Sequence, residues 1–202
     1  MKTRQMILCA LFAALTAAGI FVKIPIPGTP MSFTLQTFFI FLAGLLLEPK
    51  FAVISQAVYA AIGLLGLPVF MNGGGISYVM QPSFGFIFGF GVSAWLISLL
   101  VRKNILAMIN RSKGAPKLGL YVKIAGYALV SLLVMYVFGI TYMYLIMTLY
   151  MSKEITLDYL IFTANGLFIL LDMLKFAIAI PLAIAVMKRM PSSISVYKNG
   201  AA

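Results

Sequence analysis

Asp172 and Lys175 are the two charged residues of an otherwise apolar run, Gly166-Leu-Phe-Ile-Leu-Leu-Asp-Met-Leu-Lys-Phe-Ala177. Spaced i,i+3 on a helix, they share a face and can pair. A charge near the centre of a membrane helix costs roughly 2.5–3.5 kcal/mol on insertion scales. Pairing lowers that cost without removing it, and a buried pair seldom stabilises better than a hydrophobic substitute. Charges kept on such terms point to recognition of a polar ligand, with a carboxylate to accept from N–H groups and an ammonium to donate to oxygen. A salt bridge that only locks helices would use the same pair. A proton relay would too, but it needs further titratable partners, and none are apparent.

Other polar groups can join that site. Gln36 follows a proline-rich segment in Pro30-Met-Ser-Phe-Thr-Leu-Gln-Thr-Phe38. Its amide has no easy partner on its own helix, so it seeks a neighbour or a ligand. Thr34 and Thr37 are expected to satisfy themselves on the helix backbone. Asn165 lies at the other end of the run that holds Lys175, while Gln56 reads as interhelical glue. The segment from Pro68 to Pro82 carries no charge but holds Phe70, Met71, Asn72, Gly73-Gly-Gly75, Tyr78 and Met80. Its glycines permit positive φ and close backbone approach, and its aromatics suit a lid over a cavity. A cavity lined by Gln36, Asn72, Tyr78, Asp172 and Lys175 would set donors and acceptors between aromatic walls, the usual design of a small-molecule site.

The elements that must position these groups follow from composition. Of 202 residues, 63% are hydrophobic and 9% charged, and the mean hydropathy is +1.08. A soluble domain is roughly 25% charged, so most of this chain is solvated by lipid. Backbone groups in lipid must be satisfied internally, and the long unbroken apolar runs favour helices over barrel strands. Six segments are expected to span: Met6–Val22, Phe33–Leu47, Phe51–Leu67, Ser83–Val101, Leu118–Tyr150 and Tyr159–Val186. The second is short and the fifth long, which predicts tilt, a kink or an interfacial extension. The basic start, Met1-Lys-Thr-Arg4, leads into an apolar run reaching Val22, so it reads as a first span rather than a cleaved leader.

Loop charge sets orientation. With the N-terminus inside, cytoplasmic segments carry Lys2, Arg4, Lys50, Arg102, Lys103, Arg111, Lys113, Lys117, Lys123, Lys188, Arg189 and Lys198, while outer segments carry Lys23 and Lys153. Both termini are therefore expected in the cytoplasm, which agrees with an even number of spans. The formal charge of +11 is explained by these loops, and no base-stacking platform supports nucleic-acid binding. One cysteine and no histidine remove an internal disulfide and the common zinc patterns, and Cys9 reads as a small packing residue. No G-x-x-x-x-G-K-[ST] motif is present, so ATP is not used here by that route. Neither H-E-x-x-H nor G-x-S-x-G occurs, and no catalytic residue is assigned. Ala10, Ala14 and Ala18 repeat at i,i+4 and would let another helix approach closely, either inside this protein or in a separate subunit. Gly85-Phe-Ile-Phe-Gly89 is a second, weakly specific match of that kind.

The order Pro30-Met-Ser-Phe-Thr-Leu-Gln-Thr-Phe, Leu64-Leu-Gly-Leu-Pro-Val-Phe70, Gly73-Gly-Gly75, Pro82…Gly85…Gly89-Phe90 and Asp172-x-x-Lys175 resembles the BioY family. These are the biotin-specific substrate-binding (S) components of energy-coupling factor (ECF) transporters. The resemblance implies one integral membrane substrate-binding domain over residues 1–202, all-α, with six transmembrane helices in the ECF S-component fold. It implies a multi-pass protein of a prokaryotic cell membrane, with biotin as ligand and no cofactor of its own. It also implies partners: a transmembrane coupling (T) subunit, docked on the Ala10/Ala14/Ala18 face, and two cytoplasmic ABC-type ATPases that use the ATP. Carried onto this chain, Asp172 and Lys175 are similar to the acid and base of the ligand site. Asn72 or its neighbour Gly73 resembles the loop contact, and Gln36 a wall residue. An S component for another small vitamin is the alternative within the class. Where the family pattern reads Gly-Pro-Thr-Gly-Gly-Tyr, this chain has Gln81-Pro-Ser-Phe-Gly-Phe86; the glycines expected after the second helix are Glu48-Pro-Lys50 here.

Overall fold

The computed structural model describes residues 3–27, 29, 31–111 and 118–189, with side chains given outside 103–111 and 188–189. Lys2, Lys113, Lys117 and Lys198, counted above for orientation, lie outside the described residues, as does Pro30 of the quoted motif; the side chains of Lys103, Arg111, Lys188 and Arg189 do too. Six α-helices form among the described residues: α1 (Thr3–Ala18), α2 (Gln36–Leu46), α3 (Pro49–Leu64), α4 (Phe84–Arg111), α5 (Leu118–Leu145) and α6 (Gly166–Arg189). A short hairpin of β1 (Lys23–Pro25) and β2 (Ser32–Thr34) sits between α1 and α2.

Among the described residues, four stretches are long and apolar enough to cross a membrane: Thr3–Phe21, Phe84–Arg102, Leu118–Tyr150 and Gly166–Met187. The other two helices are apolar but shorter, with 11 residues in α2 and 16 in α3. At 1.5 Å per residue α2 rises about 16 Å, roughly half of a ~30 Å hydrocarbon core. The second segment is shorter than the sequence suggests because Ser32–Thr34 are extended. They pair antiparallel with β1, placing Lys23 opposite Thr34 and Ile24 opposite Phe33. Non-helical backbone at that depth is tolerated where it is buried in protein or lines a cavity.

A second correction concerns the last segment, which is not one continuous α-helix. Tyr159–Ala164 is a π-helical turn, and α6 begins only at Gly166. The Asn165 side chain marks the break, its Nδ2 donating to the Leu160 carbonyl at 2.8 Å. The fifth segment does extend beyond its α-helix, through π-helical Ile146–Tyr150.

The position of α2 explains its composition. Every residue from Ile40 to Leu47 is buried, with α1, α4 and α6 packed around it. A helix enclosed on all sides is apolar all round. Gly44 permits the close approach to α4: a Cβ there would overlap Ile97 Cγ2 and lie 2.9 Å from the Ala94 carbonyl oxygen. Because backbone stands opposite, the gap cannot open by a rotamer change. Gly44→Val is therefore expected to destabilise the protein by about 1–3 kcal/mol, the usual cost of overpacking. A lower thermal unfolding midpoint in detergent would register it, and an unchanged midpoint would refute the close contact. The α2 C-terminus is held by Ser98 Oγ, which donates to the Leu47 carbonyl at 2.6 Å, satisfying one orphan acceptor.

Polar side chains tie other helix pairs. The Ser93 and Ser131 hydroxyls are 2.7 Å apart between α4 and α5. Gln56 Nε2 donates to Thr16 Oγ1 at 3.4 Å between α3 and α1, and Cys9 is buried against the Phe51 carbonyl. Small residues serve the same packing where α4 meets α5: Gly85 lies against Tyr142 and Gly89 against Met135. On α1, Phe12 and Ala13 face inward while Ala10, Ala14 and Ala18 are exposed. Among the described residues, the alanine stripe is thus left uncovered.

Candidate ligand-binding site

The charged pair of α6 meets the start of α2. Lys175 Nζ donates to Asp172 Oδ1 at 2.6 Å, to Thr37 Oγ1 at 2.7 Å and to the Thr34 carbonyl at 2.6 Å. It also stands 4.1 Å from the centroid of the Phe33 ring, a cation–π distance. Thr37 Oγ1 donates to Asp172 Oδ1 at 2.7 Å, and the Tyr136 hydroxyl on α5 donates to Asp172 Oδ2 at 2.8 Å. Asp172 and Lys175 are both buried, at 4% and 7% exposure. Buried charges persist only when paired and hydrogen-bonded, and this pair is both.

These groups end a cavity of about 60 Å³. Phe86, Ile87, Phe90 and Phe168 give it apolar walls; Met31, Met71 and Met135 also line it. That volume is well below the ~300–1,000 Å³ of ordinary ligand pockets, so a ligand has to push the lining apart. Three methionines, unbranched and soft, suit such a wall. Gln36 faces the cavity from the first turn of α2. Both of its amide hydrogens are used, Nε2 donating to the Tyr59 hydroxyl at 2.7 Å and the Val69 carbonyl at 3.1 Å. Its Oε1 has only a 3.5 Å contact from Thr34 Oγ1 and is left as an acceptor. Tyr78 lines the cavity from the α3–α4 loop, its hydroxyl 2.7 Å from Ser83 Oγ. Burial pushes the Tyr78 phenol above its ordinary value, with the Ser83 bond opposing, so it remains a neutral O–H group.

Of the residues expected at the site, Asp172, Lys175, Gln36 and Tyr78 line one cavity, whereas Asn72, Gly73 and Asn165 do not. Asn72 is exposed and contacts Lys23. Gly73 shapes the loop instead: with φ +115° it pairs with Phe70 through a short bridge, which holds Phe70 and Met71 inward. Of the loop's large side chains, Phe70, Met71 and Tyr78 are buried, while Met80 is exposed. Asn165 is fully buried but spends its amide on the turn before α6.

Thr37, Tyr59, Ser83 and Tyr136 were not expected at the cavity. Thr37 departs from the self-satisfied reading because it sits in the first turn of α2, with no helical carbonyl one turn behind it; the hydroxyl is free to bridge Asp172 and Lys175. Its place directly after a proline-rich loop was the available signal. Ser83 and Phe86 come from the segment in which the chain departs from the family pattern, and both line the cavity.

Apolar helices long enough to span a membrane, enclosing a neutral, hydrogen-bonded ion pair at the end of an aromatic-walled cavity, mark an integral membrane protein with a candidate small-molecule site. The chain belongs to the BioY family, which it matches over residues 1–192. It is 40% identical over 153 residues, 76% of this chain and 71% of the relative, to a protein of Lysinibacillus sphaericus named probable biotin transporter BioY. It is 29% identical over 197 residues to the biotin transporter BioY of Rhizobium etli, covering 95% of this chain and 97% of that one. The fold is that of a crystal structure described as the S-component for biotin from an ECF-type ABC transporter, with a TM-score of 0.77 at 23% identity, covering 97% of this chain and 96% of that chain. This places the chain among transport proteins and not among enzymes.

Proposed function

We propose that this chain is a substrate-binding S component that captures biotin from the outer side of the membrane. The observation that carries the reading is the hydrogen-bonding state of Asp172. A carboxylate offers about four acceptor positions; Thr37 and Lys175 occupy two on Oδ1 and Tyr136 one on Oδ2. One position on Oδ2 remains, and Gln36 Oε1 supplies a second acceptor on the same cavity. The ureido group of biotin carries two N–H donors, and its fused rings suit the walls of Phe86, Phe90 and Phe168. Relatives named as biotin transporters support the choice of ligand.

Uptake follows by cooperation. With no phosphate-binding loop of its own, the chain depends on a transmembrane T subunit and two cytoplasmic ABC-type ATPases for energy. The exposed Ala10, Ala14 and Ala18 stripe is the docking face for the T subunit. All six helices are assigned to the membrane-embedded domain of a prokaryotic cell membrane, with both termini on the cytoplasmic side, on the distribution of Lys and Arg. Titration calorimetry of the detergent-purified protein with biotin, thiamine and riboflavin tests the ligand. Biotin alone is expected to bind, with a dissociation constant in the nanomolar range; preference for either other vitamin would overturn the assignment.

A further inference from the structure

The buried pair presents acceptors to a ligand but no spare cation. Lys175 has three N–H donors, and Asp172, Thr37 and the Thr34 carbonyl take all of them. Its charge is matched by Asp172 at 2.6 Å. Biotin ends in a carboxylate, and an anionic tail in this cavity has to find positive charge elsewhere. Among the described residues, no cation other than Lys175 lines the cavity.

Lys23 stands just outside it. Strand β1 holds Lys23 directly opposite Thr34, a cavity-wall residue. The Lys23 ammonium reaches across to the α3–α4 loop and donates to the Met71 carbonyl at 2.5 Å. Met71 is also a wall residue. A longer contact of 3.5 Å runs to Asn72 Oδ1, which leaves one N–H of Lys23 unassigned and one weakly held. Lys23 and Asn72 are exposed, so the ammonium lies between solvent and the two wall segments. Lys153, the other outer-loop cation, belongs to the α5–α6 connection and lines a different pocket.

We propose that Lys23, with the Asn72 amide beside it, receives the carboxylate of the ligand's tail at the mouth of the cavity. The inference rests on the biotin reading above. The ureido ring then sits at Asp172 and Gln36, and the tail points outward. The ammonium keeps its Met71 bond and exchanges the long Asn72 contact for a charge-assisted one, the stronger kind of hydrogen bond. The same bond to Met71 ties the hairpin to the loop, so the tail would also hold the cavity closed.

Calorimetry with biotin and with biotinamide, whose tail is neutral, separates the roles. The native protein is expected to prefer biotin by about tenfold, the value of one partly solvated charge-assisted bond. In Lys23→Gln that preference should vanish, with biotin weakened about tenfold and biotinamide changed by less than about twofold. Lys23→Arg should restore the preference. Equal weakening of both ligands by Lys23→Gln would make Lys23 a loop latch only and overturn the proposal, as would an undiminished preference. Failure of the native protein to bind biotin at all is a different result, which removes the ligand assignment and this inference with it.

Discussion

Asp172→Asn is expected to abolish measurable biotin binding and to lower the thermal stability of the detergent-solubilised protein markedly. The substitution leaves Lys175 ionised among Phe33, Thr37 and Phe41's helix with no counter-charge. Breaking a buried pair by removing one partner costs about 3–5 kcal/mol, and here the carboxylate also accepts hydrogen bonds from Thr37 and Tyr136. A stability loss of that size would by itself weaken binding, so the single variant does not separate recognition from helix locking. The double variant Asp172→Asn with Lys175→Met does. It carries no net buried charge, and the Asn side chain still offers an oxygen to Tyr136 or Thr37. Neutral replacement of a buried pair is commonly harmless or stabilising by about 1–4 kcal/mol. Its unfolding midpoint should therefore return close to native, while biotin affinity stays more than about tenfold weaker, equivalent to one lost charge-assisted bond. A double variant that melts normally and binds biotin normally would make the pair a structural lock.

The pair was legible in the sequence because a charge in an apolar run has no cheap explanation. Its surroundings were not. Tyr136 lies in a helix rich in aromatic residues and Tyr59 in an ordinary apolar one, and nothing in their spacing distinguishes a tyrosine that bonds a carboxylate from one that packs. Only the convergence of α2, α5 and α6 makes that distinction. Thr37 was hidden by a rule that holds in helix interiors and fails in a first turn. Asn165 illustrates the reverse case: its polarity was visible, but its partner, the Leu160 carbonyl, is a backbone group freed by an unpredicted π-helical turn.

Charges and Pro/Gly punctuation mark the helices, and each expected segment overlaps one. Boundaries failed where the environment overrode composition. Phe33 and Thr34 are apolar or β-branched enough to extend a span on paper, yet both pair with β1, and Thr34 lines the cavity. The uniform hydrophobicity of α2 gives no periodicity from which to choose a face, because the bundle covers all of it. The same burial lets an 11-residue helix persist where a lipid-exposed one would be too short.

On α1 the faces are distinct, and a substitution there should act on transport alone. Ala14 is exposed between Ala10 and Ala18, while Phe12, Ala13 and Thr16 of the same helix are buried against the bundle. Small residues at i,i+4 leave a shallow track along which a partner helix can approach closely, and in lipid that approach supplies most of the association energy through packing. A tryptophan at position 14 fills the track and forces the partner outward, beyond the usual 8–10 Å between packed axes. It removes no contact within the chain, and surface substitutions of that kind usually change stability by less than about 0.5 kcal/mol. Ala14→Trp is therefore expected to bind biotin within about twofold of the native protein. In cells that also produce the T subunit and both ATPases, its biotin uptake should fall to the level seen without an S component. Ala14→Gly, which keeps the track open, serves as the control and should transport normally. Undiminished uptake by Ala14→Trp would remove the docking assignment. Loss of binding as well as uptake would place the defect in the fold of α1, against the exposure seen at Ala14.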